Sequence, residues 1–160
     1  MPPRSKVTRE MIVDAAMETA REAGAGAINA RTVARRLRCS TQPVMYHFAT
    51  MEELKRAVYD RADQFHSDYL MRSAGDIDPL LGIGLNYIRF AIEEPHLFRF
   101  LFESGYARQN NLPEMIGAEE LAPVLEAVQA GTGLDREKTG EVFPTLAMFT
   151  HGYASIIANN

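Results

Sequence analysis

Residues 29–48 carry polar side chains of the types that recognise nucleic acid, at spacings that suit two short helices. Thr41, Gln42 and Tyr46 point outward from the predicted second helix. Glutamine can form two hydrogen bonds to adenine, threonine can contact base edges or a thymine methyl group, and tyrosine can reach phosphates. This segment therefore predicts contact with the major groove of double-stranded DNA, which is wide enough to admit one helix.

The same segment has the pattern of a helix-turn-helix, in which two short helices pack across a tight turn. Asn29 is the predicted N-cap of the first helix, 30–37, and Ser40 is the predicted N-cap of the second, 41–47. Apolar residues on the two helices are expected to pack together, and flanking arginines are expected to neutralise phosphate charge. The candidate DNA-contacting residues are Asn29, Arg31, Thr41, Gln42, Pro43, Tyr46, His47 and Lys55.

Charge is distributed unevenly along the 160 residues, whose net charge is −4. Residues 1–50 contain eight Lys/Arg and four Asp/Glu, whereas residues 51–160 contain nine and seventeen. A basic first part on an acidic remainder is expected if only the first part contacts phosphate. Chance and a solvated acidic surface explain the division equally well, so charge alone leaves nucleic-acid binding open.

Other features favour a reduced, cytoplasmic protein that is not an enzyme. No apolar run approaches the roughly 20 residues that span a bilayer, and the N-terminus lacks the apolar stretch of a secretory signal. Cys39 is the single cysteine, so an internal disulfide is impossible. Zinc-ligand spacings, a phosphate-binding loop and a nucleophile elbow are all missing, so we expect no metal, no cofactor and no catalytic residue.

Helix start and stop signals recur along the chain while strand-type alternation is scarce, which predicts an all-α fold. Thr8 and Asp78 are the predicted N-caps of the first and fifth helices. A break near residues 73–79 separates two predicted domains, 1–73 and 74–160. The first contains three short helices with a fourth, 51–73, as connector, and the second is also helical. The fifth helix is predicted to carry an apolar side that consists of Leu81, Leu85, Ile88 and Ile92.

Residues 7–60 resemble the DNA-binding domain of tetracycline-repressor (TetR) type regulators. The resemblance rests on a first helix that ends in glycine, the stretch 33–37, Ser40, and above all Tyr46-His47-Phe48 followed by Glu52-Glu53-Leu54. Three positions depart from the family pattern, in which a turn glycine, a tyrosine and a phosphate-contacting lysine are usual. Those positions are Arg38, Met45 and Met51. Either Arg38 adopts the left-handed backbone of the usual glycine, or the turn differs.

The resemblance implies a homodimeric transcriptional repressor that binds an operator and is released by a small apolar or aromatic effector. It also implies that residues 74–160 form the effector-binding and dimerisation domain. We expect the last two helices, about 114–130 and 136–158, to pack as a four-helix bundle with those of a partner. The predicted dimer contacts are Leu121, Val124, Leu125, Val128, Phe143, Ala147 and Ile157.

Aromatic side chains are dense in residues 74–160. They are candidates for an effector pocket, for core and for the dimer interface, and core is the commonest outcome for any single ring. Methionine suits an adaptable pocket wall, and histidine is a possible polar anchor for a ligand, although structural histidines are commoner. The candidate ligand-binding residues are Tyr87, Phe90, His96, Phe98, Phe102, Met115, Phe149 and His151.

An ordinary polar helix surface is the competing interpretation of residues 41–47. Met45 and Phe48 are predicted to be packing residues. Phe48 is expected to hold the helix 41–47 against the fourth helix, 51–73. The alternative function is accordingly a helical small-molecule-binding protein without DNA binding, whose N-terminal helix pair contacts another protein. Ligand binding without salt-dependent DNA binding would select this alternative.

Overall fold

The computed structural model describes residues 7–106 and 121–160, and within these ranges it contains helices and no strand. The all-α fold class is therefore confirmed. The elements are α1 (Arg9–Ala23), a single 3-10 turn (Ala25–Ala27), α2 (Ala30–Arg36), α3 (Gln42–His47), α4 (Met51–Leu70), α5 (Pro79–Glu93), α6 (Pro95–Phe102), α7 (Ala122–Thr132) and α8 (Arg136–Ala158). Each helix in these ranges is either too short or too polar to cross a lipid bilayer.

The chain forms two compact units that divide between Gln64 and Phe65, inside α4. In the first unit, α1 packs against both α2 and α3, and α2 packs against α3. In the second unit, α5 packs against α6, α7 and α8, and α8 also packs against α6 and α7. The helix predicted to connect the domains, 51–73, ends at Leu70.

Side-chain caps determine where several helices begin. Thr8, Asn29 and Asp78 cap α1, α2 and α5, because a side-chain oxygen of each accepts a hydrogen bond from a backbone N–H of the first turn. These predicted starts are confirmed. The start of α3 was predicted less well, because its N-cap is Thr41 rather than Ser40 and makes no side-chain cap bond.

The buried face of α5 differs from its predicted apolar side, because Leu81 and Ile92 are exposed. Asn86 is buried instead, and its Nδ2 donates hydrogen bonds to the carbonyl oxygens of Leu70 and Arg72, at 3.0 and 2.9 Å. One of these carbonyls belongs to the last residue of α4 and the other lies two residues beyond it, where the helix supplies no N–H for them. The spacing of apolar residues did not reveal the buried side of α5, because one of its buried positions is the polar residue Asn86. Its amide is buried because it donates hydrogen bonds to carbonyl oxygens at the end of α4. The buried positions of α5 are Gly82, Asn86, Phe90 and Ala91.

Candidate functional site

The short helix α3 has one buried side and one exposed side. Val44 and Phe48 are fully buried, whereas Tyr46 is 81% exposed. Residues three and four apart lie on the same side of a helix, so the exposed residues form one continuous surface. This surface, called the α3 face below, consists of Thr41, Gln42, Met45 and Tyr46.

Met45 belongs to the α3 face, and the prediction that it packs is wrong. Its side chain is 48% exposed. Val44 occupies the buried side of this six-residue helix and Phe48 is its buried C-cap. Met45 lies about 100° around the axis from Val44. An exposed thioether next to polar side chains can contact apolar groups such as a thymine methyl.

The α3 face is supported from beneath by buried side chains. Val33 and Ala34 on α2 are buried like Val44, and α2 contacts α3, as predicted. The guanidinium of Arg9 lies 4.6 Å from the ring centroid of Phe48. Phe48 therefore packs, as predicted, and its described ring contact is with α1.

Arg38 lies in the turn between α2 and α3 and has a φ of 53°. This left-handed region favours glycine, so Arg38 takes the backbone conformation of the glycine usual at this position. The backbone N–H of Arg38 donates to the Arg35 carbonyl, and that of Cys39 donates to the Ala34 carbonyl, at 3.1 and 3.0 Å. The turn is thus closed by hydrogen bonds to the last turn of α2.

Cationic side chains surround this turn. Arg31 and Arg35 on α2 and Arg38 in the turn are exposed. Arg36 forms an ion pair with Glu22 of α1, so part of its charge is already neutralised within the unit. Exposed guanidinium groups can bind phosphate through paired hydrogen bonds.

The remaining predicted DNA contacts are engaged within the first unit or half-buried. Asn29 accepts hydrogen bonds from two backbone N–H groups at the start of α2, so its side chain serves as a cap. Pro43 lies in the first turn of α3. His47 is half-buried, and its Nε2 lies 3.1 Å from the carbonyl oxygen of Val7. Lys55 on α4 is half-buried.

In the second unit, four of the predicted ligand-binding residues contact one another. Tyr87, Phe98, Phe102 and His151 have ring centroids 4.9 to 6.2 Å apart in every pairing. The Tyr87 hydroxyl and His151 Nδ1 share a hydrogen bond of 2.8 Å. Burial raises the pKa of Tyr87 well above its usual value, because phenolate would lose its hydration. The hydroxyl therefore remains protonated.

His66 on α4 also belongs to this group, although the sequence analysis missed it. Its ring centroid lies 4.8 Å from that of Phe90, 5.1 Å from Phe102 and 5.5 Å from Tyr87. Burial lowers its pKa to about 4, because imidazolium would lose its hydration. The six residues called the ring cluster below are His66, Tyr87, Phe90, Phe98, Phe102 and His151.

A sequence signal for His66 did exist. Leu54, Val58 and Ala62 are all fully buried and follow each other at intervals of four residues. Position 66 continues that row, so the row predicts burial of His66. The overlooked feature of the sequence is that a histidine, a polar residue, continues this row of buried apolar residues.

Three predicted ligand-binding residues are not placed in the ring cluster. Arg99 donates hydrogen bonds to His96 Nδ1 and to the Ala158 carbonyl at the end of α8. His96 therefore takes part in the contact between α6 and α8. Phe149 is 78% exposed on α8, and Met115 lies outside the described residues.

Phe149 belongs to an apolar stripe on the outer side of α8. The members are exposed large hydrophobic residues separated by intervals of four, three, four and three residues. This spacing places them on one side of the helix. The group, called the α8 stripe below, consists of Val142, Leu146, Phe149, Tyr153 and Ile156. By contrast Val128 and Phe143, two predicted dimer contacts, are buried inside the second unit.

Comparison with known proteins adds no assignment. No protein-family model matches the sequence, and no curated protein is significantly similar to it. Across residues 7–106 and 121–160, no three His, Cys, Asp or Glu side chains are grouped so that they could hold a metal ion. The α3 face, the ring cluster and the α8 stripe are therefore the candidate functional surfaces of the described residues.

Proposed function

We propose that this protein is a TetR-type transcriptional regulator that binds operator DNA as a homodimer. In this proposal it is a repressor, and a small apolar or aromatic effector releases it from DNA. The observation that carries the proposal is the α3 face, in which exposed polar and aromatic residues lie over the fully buried Val44 and Phe48. A helix with a rigidly supported outer face of this composition suits insertion into a major groove.

The side chains on the α3 face cover the ways in which proteins contact base pairs. Gln42 can donate and accept toward adenine, Thr41 can bond either a base edge or a phosphate, and Met45 can contact a thymine methyl. The exposed guanidinium groups of Arg31 and Arg35 add charge that binds phosphate irrespective of sequence. Base contact and phosphate contact are therefore both available in the first unit.

The α8 stripe supports a second copy of this chain as the partner. Intervals of four and three apolar residues are the pattern by which two helices bury a shared seam. An exposed phenylalanine such as Phe149 at the centre of that stripe is costly in a monomer. A homodimer carries two α3 faces, which suits a near-palindromic site contacted in successive major grooves about 34 Å apart.

The ring cluster supports the effector part of the proposal. It combines aromatic surface with the hydroxyl of Tyr87 and the nitrogens of two histidines, and small-molecule sites have this composition. An effector that binds one arrangement of the dimer better than another would shift the population away from the DNA-binding arrangement.

The experiment is selection of duplexes from a random DNA pool, followed by fluorescence anisotropy titration of the enriched sequence at several salt concentrations. We expect a near-palindromic site that is bound on the order of 10³-fold more tightly than scrambled DNA. Binding should weaken steeply as salt rises. Failure to enrich any sequence, together with salt-independent weak binding, would overturn the proposal and favour a ligand-binding protein that does not bind DNA.

Matched variants locate the interface. Arg31→Ala should weaken binding to all sequences and lower the salt slope by about one. Arg136→Ala removes the same charge from an exposed position at the start of α8 and should leave both unchanged. Phe149→Glu should convert the dimer into a monomer by light scattering, because a carboxylate would be buried in the seam. A dimer that persists in Phe149→Glu would exclude the α8 stripe as its interface.

A further inference from the structure

The imidazole of His66 is buried, and among the described residues its Nε2 has no hydrogen-bond partner. A buried polar atom without a hydrogen bond is uncommon in folded proteins because it has lost its water without replacement. The rings that contact it belong to Tyr87, Phe90 and Phe102, which carry no charge. Nε2 is thus a single polar atom surrounded by apolar rings. Small-molecule sites are mostly apolar and gain specificity from a few polar atoms of this kind.

Two of the rings around His66 are partly exposed to solvent. Tyr87 and Phe102 both contact the imidazole, and both side chains are only half-buried. Phe90, the third neighbour, is fully buried. Rotation of Phe102 would expose His66 to a molecule that takes the place of its ring, and it would leave the hydrogen bond between Tyr87 and His151 intact. Sites that open in this way are stabilised by the ligand itself.

We propose that His66 is the hydrogen-bonding residue of a ligand site inside the ring cluster, and that the site takes an uncharged aromatic molecule that carries a hydroxyl group. Its role as the effector site rests on the proposed function, but ligand binding itself does not require DNA. The ligand ring replaces part of the aromatic packing around His66, and the hydroxyl bonds to Nε2.

The chemistry of the ligand follows from the chemistry of the site. Nε2 donates or accepts according to the tautomer of His66, and a hydroxyl group can pair with either form. Among the other polar groups of the cluster, the Tyr87 hydroxyl and His151 Nδ1 are already bonded to each other. The rings that contact His66 are those of Tyr87, Phe90 and Phe102, so a charged ligand at Nε2 would be buried against them without a counter-ion, which is unfavourable. The low pKa of His66, about 4, is consistent with these surroundings.

The test uses phenol and toluene, which have nearly the same shape and differ by exchange of a hydroxyl for a methyl group. Benzoate is the charged probe. Dissociation constants are measured by ligand-observed NMR on the full chain without DNA. Nitrogen-15 spectra of the histidine rings are recorded in parallel, because a hydrogen bond to Nε2 shifts its resonance. We expect phenol to shift the His66 Nε2 resonance and benzoate to bind more weakly than phenol.

Three variants separate the hydrogen bond from general packing. His66→Leu removes the nitrogen and should lower the ratio of phenol to toluene affinity about tenfold, the effect of one lost hydrogen bond. His66→Gln places an amide at a similar distance and should restore most of that ratio. His96→Gln is the control, since His96 Nδ1 is bonded to Arg99, and should leave the ratio unchanged.

Several results would overturn the proposal. They are an Nε2 resonance of His66 that does not respond to phenol, an unchanged affinity ratio in His66→Leu, and tighter binding of benzoate than of phenol. If His66→Leu fails to fold, the Nε2 resonance of the unmodified chain decides the question. Phenol binding without any sequence-specific DNA binding would refute the proposed function and leave this site standing. DNA binding with no response at His66 would do the reverse.

Discussion

Two tyrosines show how differently the two units use aromatic side chains. Tyr46 in the first unit is 81% exposed at the end of a short helix. Tyr87 in the second unit is half-buried, contacts His66, Phe98 and Phe102, and shares a hydrogen bond with His151. An exposed ring can contact a large partner without rearrangement of the protein. A ring inside a cluster can be contacted only by a small molecule that enters the cluster. The contrast predicts that substitutions in the two units affect different measurements.

The largest expected effect is on the stability of the second unit. Phe98→Ala removes a fully buried ring from the ring cluster and should lower the free energy of unfolding by about 3–5 kcal/mol. Urea unfolding followed by circular dichroism measures this change. Tyr46→Ala is the matched truncation on the exposed side, and it should change stability by less than about 0.5 kcal/mol. Equal losses in the two variants would abolish the distinction drawn between the units.

The next largest effect is on DNA binding, and here we expect the substitution in the first unit to matter. Tyr46→Ala should weaken specific DNA binding by about 1–3 kcal/mol in anisotropy titrations, since the ring is free to contact the groove. Tyr46→Phe keeps the ring and tests the hydroxyl separately. Undiminished affinity in Tyr46→Ala would mean that the α3 face does not enter the groove.

Acid should act on the second unit through His66. Its folded pKa of about 4 lies below the ordinary value of 6.5, so the unfolded chain binds a proton more readily. Stability is therefore unaffected above pH 6.5 and is lost as the pH falls from 6.5 toward 4. The loss by about pH 5 should be about 2 kcal/mol.

Urea unfolding at pH 7.5 and pH 5 measures this term. His66→Leu cannot take up the proton, so the difference between the two pH values should shrink by that amount in the variant. The same pH dependence in both proteins would show that His66 is not the group responsible.

The smallest effect concerns the turn of the first unit. Arg38→Gly removes the side chain from a backbone with a φ of 53° and should raise stability by about 1 kcal/mol or less. It also removes one exposed charge, so the salt slope of DNA binding should fall by about one. Arg38→Ala keeps the backbone strain and loses the charge, which separates the two effects. Stability that falls in Arg38→Gly would show that glycine does not suit this turn.

The sequence predicted local features of this fold better than it predicted burial. The caps at Thr8, Asn29 and Asp78 were identified because each depends on one side chain and the backbone of the next turn. The exposure of Met45 and Leu81 was not, because it depends on which neighbouring helix covers each face. The apolar type of these residues does not determine that choice.

Similar reasons account for the candidate sites. The exposure of Gln42 and Tyr46 on the α3 face was predicted correctly, because a short helix places few residues outward. Their role in DNA contact stays a prediction. Within the second unit, rings of the same type occupy opposite environments, with Phe98 fully buried and Phe149 exposed. His66 was missed although the apolar row before it predicts its burial, because the lack of a hydrogen-bond partner at Nε2 among the described residues is a property of the packed structure.

The left-handed turn at Arg38 has a consequence for how the protein can evolve. Every arginine codon becomes a glycine codon through a single base substitution, so relief of the strain is always within mutational reach. A random-mutant library selected for thermal stability alone should therefore accumulate Arg38→Gly. The same library selected for operator binding should lose that substitution if the arginine is retained for its charge.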